Sequence, residues 1–205
     1  MRRPGMFSGP EEAIEFVPAD LEKPLDFAEL FPDANAPLEI DLGCGDGLFL
    51  TACAAEKPKR NFLGIERLVG RVRTSCRRVT RAGLANARII RVDIAHAVNS
   101  LLPPQSVDAF YLLFPDPWPK RRHATRRIFT AELLEAVAAA LKPEGTFYVA
   151  TDQPDYAADM KRVVGVAQSL QEVAAKEALP LTTFGQRFTE AGLEIHRLVL
   201  RKVSG

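Results

Sequence analysis

Cysteine is scarce in this 205-residue sequence: Cys44, Cys53 and Cys76 are an odd number, with no C-x-x-C pair. That pattern excludes the disulfide framework of a small secreted domain and fits a reduced, cytoplasmic thiol inventory. Histidine is equally sparse, and His96, His123 and His196 lie too far apart to share a metal-ligand spacing. No metal site is expected. No apolar run approaches the roughly 18–20 residues needed to cross a bilayer, so no membrane partner is expected. Arg2 and Arg3 are not followed by an apolar segment, which argues against a secretory signal. A large net charge is also missing. The balance of +1 implies no polyanionic partner by itself.

What is present describes an ordinary globular chain. Hydrophobic residues make up 47% and charged residues 26% of the sequence. A domain of this size buries roughly 70% of its unfolded surface, enough for a core without staples. The charges are segregated along the chain. The first forty-odd residues are acidic, whereas 57–91 carry eleven Lys and Arg, among them Arg60, Arg67, Arg71, Arg77, Arg78 and Arg81, against Glu66 alone. A second basic cluster comprises Lys120, Arg121, Arg122, His123, Arg126 and Arg127. Basic surfaces on a near-neutral chain are compatible with nucleic-acid binding.

Residues 1–36 are Pro-rich and acidic without sustained periodicity, and read as an irregular N-terminal arm with one short helix. From residue 37 to 205 the pattern is that of one domain. Strand-length apolar runs at Leu38–Leu42, 61–65, 88–92, 107–114 and 146–150 alternate with helical segments at 46–56, 67–82 and 130–141. Lys142-Pro143-Glu144-Gly145 stops the last helix. This alternation predicts an α/β, Rossmann-like, doubly wound fold, with ligands at the carboxyl ends of a mostly parallel sheet. Residues 193–201 are expected to add an antiparallel C-terminal edge strand. In the 67–82 helix, Leu68, Val69, Val72, Cys76 and Val79 form the stripe expected to face the sheet. Arg67, Arg71, Arg78 and Arg81 fall opposite, as either a solvated face or a surface for RNA phosphates.

The first strand runs into Asp41-Leu42-Gly43-Cys44-Gly45-Asp46-Gly47. Alternate glycines allow a sharp turn and close approach of a ligand. Leu48 stands where the dinucleotide pattern G-x-G-x-x-G requires glycine, so a nicotinamide cofactor is a poor match. Carboxylates end three successive strands instead: Asp41, Glu66 and Asp93. They suit S-adenosylmethionine, which carries a sulfonium, an ammonium and ribose hydroxyls but no pyrophosphate. Asp41 fits the amino-acid end, Glu66 the ribose and Asp93 the adenine amino group, with Gly43, Gly45 and Gly47 shaping the loop.

The fourth strand ends in Phe114-Pro115-Asp116-Pro117-Trp118-Pro119-Lys120. Its prolines exclude helix and hold Asp116 in a fixed direction. Trp118 reads as a packing anchor or as a base-stacking ring. With Arg126-Arg127 and Thr151-Asp152 downstream, the chain resembles bacterial tRNA (guanine-N7-)-methyltransferases over about residues 38–200. The family segment T-x-F-E is met by Thr182-Thr183-Phe184, but Gly185 replaces its Glu. The resemblance implies a class I methyltransferase fold and S-adenosylmethionine contacts from Asp41, Glu66, Asp93 and Asp116. It further implies substrate contacts from Lys120, Asp152 and Thr182, and methylation of a guanosine in the tRNA variable loop. Guanine N7 already holds an in-plane lone pair, so no general base is required. Asp116 is then the expected catalytic carboxylate, orienting the base and stabilising the charge it acquires. Alternatives are a tRNA-binding relative with weak or no activity, or action on another RNA site. Oligomeric state is open between monomer and homodimer.

Overall fold

The structure, a computed structural model, describes residues 14–118, 125–174 and 179–203. Among them lie eight strands in one sheet. In chain order these are β1 (Glu15–Phe16), β2 (Leu38–Leu42), β3 (Asn61–Glu66), β4 (Ala87–Arg91), β5 (Val107–Leu113), β6 (Leu141–Thr151), β7 (Leu170–Glu172) and β8 (His196–Lys202). Their order across the sheet is β1-β4-β3-β2-β5-β6-β8-β7. All pairings from β1 to β6 are parallel, and β8 runs antiparallel to both β6 and β7. The order reverses between β2 and β5, the position at which doubly wound sheets open a crevice beyond their carboxyl ends.

The helices are α1 (Phe27–Leu30), α2 (Leu48–Glu56), α3 (Val69–Arg81), α4 (Ile94–His96) continued by a π-helical turn (Ala97–Leu101), α5 (Ala131–Ala140), α6 (Pro154–Val166) and α7 (Thr183–Glu190). Alternation along the strands sorts the core onto two faces. Ile40, Leu42, Leu63, Ile65, Phe110 and Leu112 pack with residues of α5 and α6, including Leu134, Val137, Tyr156 and Met160. Phe62, Ala109 and Tyr111 point the other way and meet Phe49, Leu50 and Cys53 of α2 and Val72, Cys76 and Val79 of α3. None of these helices is long and apolar enough to cross a membrane.

Two expectations need correction in detail. The antiparallel C-terminal strand forms, but it lies one place in from the edge, which belongs to β7. Only three residues long, β7 is too short to leave a sequence signature. Leu68 and Val69 do not face the sheet: they are 46% and 50% exposed, because Leu68 caps α3 and Val69 opens it, above the end of the strand. Helix α5 does stop before Lys142–Gly145, and those residues enter β6 as a bulge, since Val107 pairs with Leu141 while Ala109 already pairs with Thr146. Within the arm, β1 pairs with β4, and Leu25, Leu30 and Phe31 enter the larger core.

Candidate active site

The glycine loop begins where β2 ends. The amides of Gly43 and Cys44 both donate to the Ile65 carbonyl, at 2.8 and 3.0 Å, so the loop is tied to the neighbouring strand. Gly47 caps α2 at φ 75°, and a Cβ there would stand 2.7 Å from the Ser75 hydroxyl. Any other residue would push the loop off α3. Ser75 Oγ in turn donates to the Gly45 carbonyl at 2.9 Å. The loop is therefore clamped between β3 and α3.

Two buried carboxylates on β2 show opposite solutions to the cost of burying charge. Glu39, 2% exposed, accepts from the Tyr111 hydroxyl at 2.7 Å and Arg60 at 3.0 Å, with Lys57 at 3.6 Å. Asp41, two residues on and 4% exposed, has no hydrogen bond or ion pair to its carboxylate among the described residues. Burial, aided by the nearby Glu66 charge, raises its pKa to about 7. Asp41 lines a cleft, so a cationic ligand group there would supply the charge partner that the protein does not.

Glu66, at the end of β3, accepts from the amides of Gly45 (3.2 Å) and Leu68 (2.8 Å), with Arg71 Nη1 at 3.9 Å. Asp93 is exposed and caps α4 through the Ala95 amide at 2.9 Å. Asp116 is also exposed, in a loop whose Phe114 and Trp118 adopt φ 56° and 43°. Non-glycine residues in that region carry strain and persist only where their surroundings hold them. Here Phe114 N donates to the Ala150 carbonyl at 2.8 Å, and Arg127 Nε donates to the Pro117 carbonyl at 2.8 Å. Arg127 also pairs with Asp159 and lies over the buried Tyr156 ring at 4.7 Å. The Arg126 guanidinium stands 4.9 Å over Trp118. The pair Arg126-Arg127 thus braces the loop.

A cleft of about 200 Å³ opens beside these groups, lined by Asp41, Gly43, Gly45, Asp46, Arg71 and Phe114 on one side and Thr182, Thr183 and Phe184 on the other. Thr182 caps α7 by accepting from the Gly185 amide at 2.8 Å. An adjoining, mainly apolar cavity of about 350 Å³ shares Leu113, Phe114 and Thr182 with the cleft and reaches Gly185, Arg197 and Leu198.

A family model described as "Putative methyltransferase" matches residues 35–198. A tRNA (guanine-N(7)-)-methyltransferase of Hydrogenovibrio crunogenus is 36% identical over 189 residues, covering 89% of this chain and 78% of the relative. Its counterpart in Geobacter metallireducens is 33% identical over 194 residues, covering 91% and 92%. The chain belongs to this methyltransferase family. Solved structures agree in fold alone: a SAM dependent methyltransferase from Aquifex aeolicus (TM-score 0.58, 15% identity, 82% of this chain and 83% of that one) and the 16S rRNA methyltransferase KamB (0.60, 17%, 82% and 88%). The methyl donor is S-adenosylmethionine, and the donor set fits it: a buried unpaired carboxylate for a cation, Arg71 for a carboxylate, and the Glu66 carboxylate for hydroxyls.

The methyltransferase cleft gathers Asp41, Gly43, Gly45 and Thr182 directly. Gly47 and Glu66 support it from behind, Gly47 in the loop by packing on Ser75 and Glu66 at the end of β3 by holding two amides. Asp93, Asp116 and Asp152 leave strands β4, β5 and β6 at the same end of the sheet without lining the cleft. Asp152 is half-buried, its carboxylate accepting from the Gln153 amide side chain. Lys120 lies outside the described residues, as do Arg121, Arg122 and His123. Sequence reasoning gave Asp46 no role, placed Arg71 on a solvated or RNA-facing surface rather than in the cleft, and reached Thr183 and Phe184 only as part of the Thr182 segment. A further signal for that segment is a capping threonine, Thr182, before a phenylalanine pair spaced i, i+4 at Phe184 and Phe188.

Proposed function

We propose that this methyltransferase modifies N7 of a guanosine in the tRNA variable loop, giving N7-methylguanosine, in the cytoplasm. The observation that carries the reading is the cleft itself, where Asp41, buried without a charge partner, faces the Thr182 segment. S-adenosylmethionine, when bound, supplies an electrophilic methyl group on a positively charged sulfur. Asp41 holds the ammonium of its amino-acid end and Arg71 the carboxylate. Glu66 accepts from the ribose hydroxyls with the lone pairs its two amides leave free, and Asp93 from the adenine amino group. Thr182, Asp152 and Lys120 hold the nucleoside. No residue has to remove a proton from N7. The protein's task is alignment and exclusion of water, together with a carboxylate, Asp116, placed where the purine becomes positive.

Incubating the protein with unmodified tRNA and radiolabelled S-adenosylmethionine, followed by nucleoside analysis, tests this. Label in N7-methylguanosine is expected. Label in another nucleoside would move the substrate. No label would favour a tRNA-binding relative, the reading that Gly185 in the family's Glu position supports.

A further inference from the structure

Asp46 is the acidic residue inside the glycine loop, and each of its carboxylate and carbonyl oxygens already accepts from the protein, with Arg78 offsetting its charge. Its Oδ1 accepts from the Leu48 amide at 3.2 Å. Its Oδ2 accepts from Arg78 Nη2 at 3.1 Å and from the Thr183 hydroxyl at 2.9 Å. Its carbonyl accepts from Arg78 Nε at 3.1 Å. It is therefore a poor partner for the cofactor's cationic groups, although it lines the same cleft as Asp41. Three elements meet on it instead: the loop, α3 through Arg78, and the first residue of α7 through Thr183.

The Thr183 bond joins residues 137 apart in sequence and crosses from the cofactor side of the cleft to the substrate side. It is the single side-chain hydrogen bond recorded between the loop and α7 among the described residues. The neighbouring threonine, Thr182, is occupied in capping α7, so its position follows that of the helix. Phe184 and Phe188 stack at 6.0 Å, and Phe188 meets Phe114 at 5.3 Å, so a shift of the α7 start reaches the Asp116 loop as well.

We propose that Asp46 and Thr183 are positioning residues that couple the two substrates: cofactor in the loop fixes Asp46, Asp46 fixes the α7 start, and Thr182 is thereby set for the nucleoside. The inference rests on the functional reading above. Thermodynamic linkage makes the coupling reciprocal, so bound S-adenosylhomocysteine tightens tRNA and bound tRNA tightens S-adenosylhomocysteine by the same factor. One charge-assisted hydrogen bond at a half-buried site places that factor near the low end of the usual range, about fivefold.

The test measures tRNA affinity with and without saturating S-adenosylhomocysteine for the unaltered protein, Thr183→Val and Thr183→Ser, with melting curves for all three. Valine keeps the shape and removes the donor; serine keeps the donor. Support is a roughly fivefold tightening in the unaltered protein and Thr183→Ser that disappears in Thr183→Val. The proposal is overturned if the unaltered protein shows no tightening, if Thr183→Val retains it, or if Thr183→Ser loses it too. Nucleoside analysis on the same preparation separates the two readings: N7-methylguanosine formation with an unchanged coupling in Thr183→Val sinks only the positioning role.

Discussion

The two sides of the cleft are built on different principles. On the cofactor side, the glycine loop is held by backbone bonds to β3, by Ser75 and by Arg78, and its functional carboxylate is buried. On the Thr182 side, Phe184 is 42% exposed, and aromatic contacts and arginine braces position the neighbouring loop that carries the exposed Asp116. A small ligand of fixed shape rewards a prebuilt cage. A large RNA brings its own surface, and the protein can leave the contacting groups open until it arrives.

The sharpest break in that contrast is expected from Asp41. Asp41→Asn should weaken S-adenosylhomocysteine binding about 100-fold in calorimetry, because a buried charge partner is lost. The same change should stabilise the free protein. Asp41 has a folded pKa of about 7 against an unfolded value near 3.8, so the folded state holds its proton longer. The resulting stability is full below about pH 4 and is lost as pH rises to 7, with an upper bound of about 4 kcal/mol. The melting temperature of Asp41→Asn should therefore exceed that of the unaltered protein by a margin that widens from pH 5 to pH 8. Cofactor affinity should rise over pH 6 to 8 and then level. A flat profile would place Asp41 outside the site.

Asp116→Ala is next, with turnover down about 100-fold and an unchanged melting temperature. An exposed residue that cost fold stability instead would belong to the scaffold. Arg71→Ala should lower S-adenosylmethionine affinity about tenfold while sparing the decarboxylated analogue. Equal losses for both ligands would assign Arg71 to α3 packing. The smallest effect concerns Gly185. If the missing carboxylate is a defect, Gly185→Glu restores it and raises activity. In the structure a Cβ there stands 3.2 Å from Thr182 Oγ1 and 3.4 Å from Phe114 Cε2, beside a mainly apolar cavity. Turnover is now expected to fall about two- to fivefold, with a lower melting temperature from crowding of the cap. A rise in turnover would show that the cavity admits the carboxylate, with Arg197 the available partner.

The parallel half of the fold was legible because strand-length runs rich in apolar residues alternate with helices α2, α3 and α5, whereas α4 and its π turn are too short to leave a periodic signal. The Asp41, Glu66 and Asp93 positions followed from strand ends. The C-terminal part was harder to read. Helix α6 begins with Pro154 at its first turn and α7 with the Thr182 cap, and both signals are short. Strands β1 and β7 have two and three residues, and nothing in so short a run distinguishes pairing from coil. The role of Asp46 was invisible for another reason: its partners Arg78 and Thr183 are 32 and 137 residues away.

Strands β7 and β8 are antiparallel neighbours, paired from Leu170 with Lys202 to Glu172 with Leu200. Among the described residues between them, 179–195 form an excursion pinned at its base, and it carries Thr182, Thr183 and α7. Because closure entropy grows only with the logarithm of loop length, such an excursion can lengthen, shorten or change sequence at little thermodynamic cost to the sheet. A change of sequence in this one stapled insert therefore leaves the glycine loop and its ties to β3 and α3 unaltered.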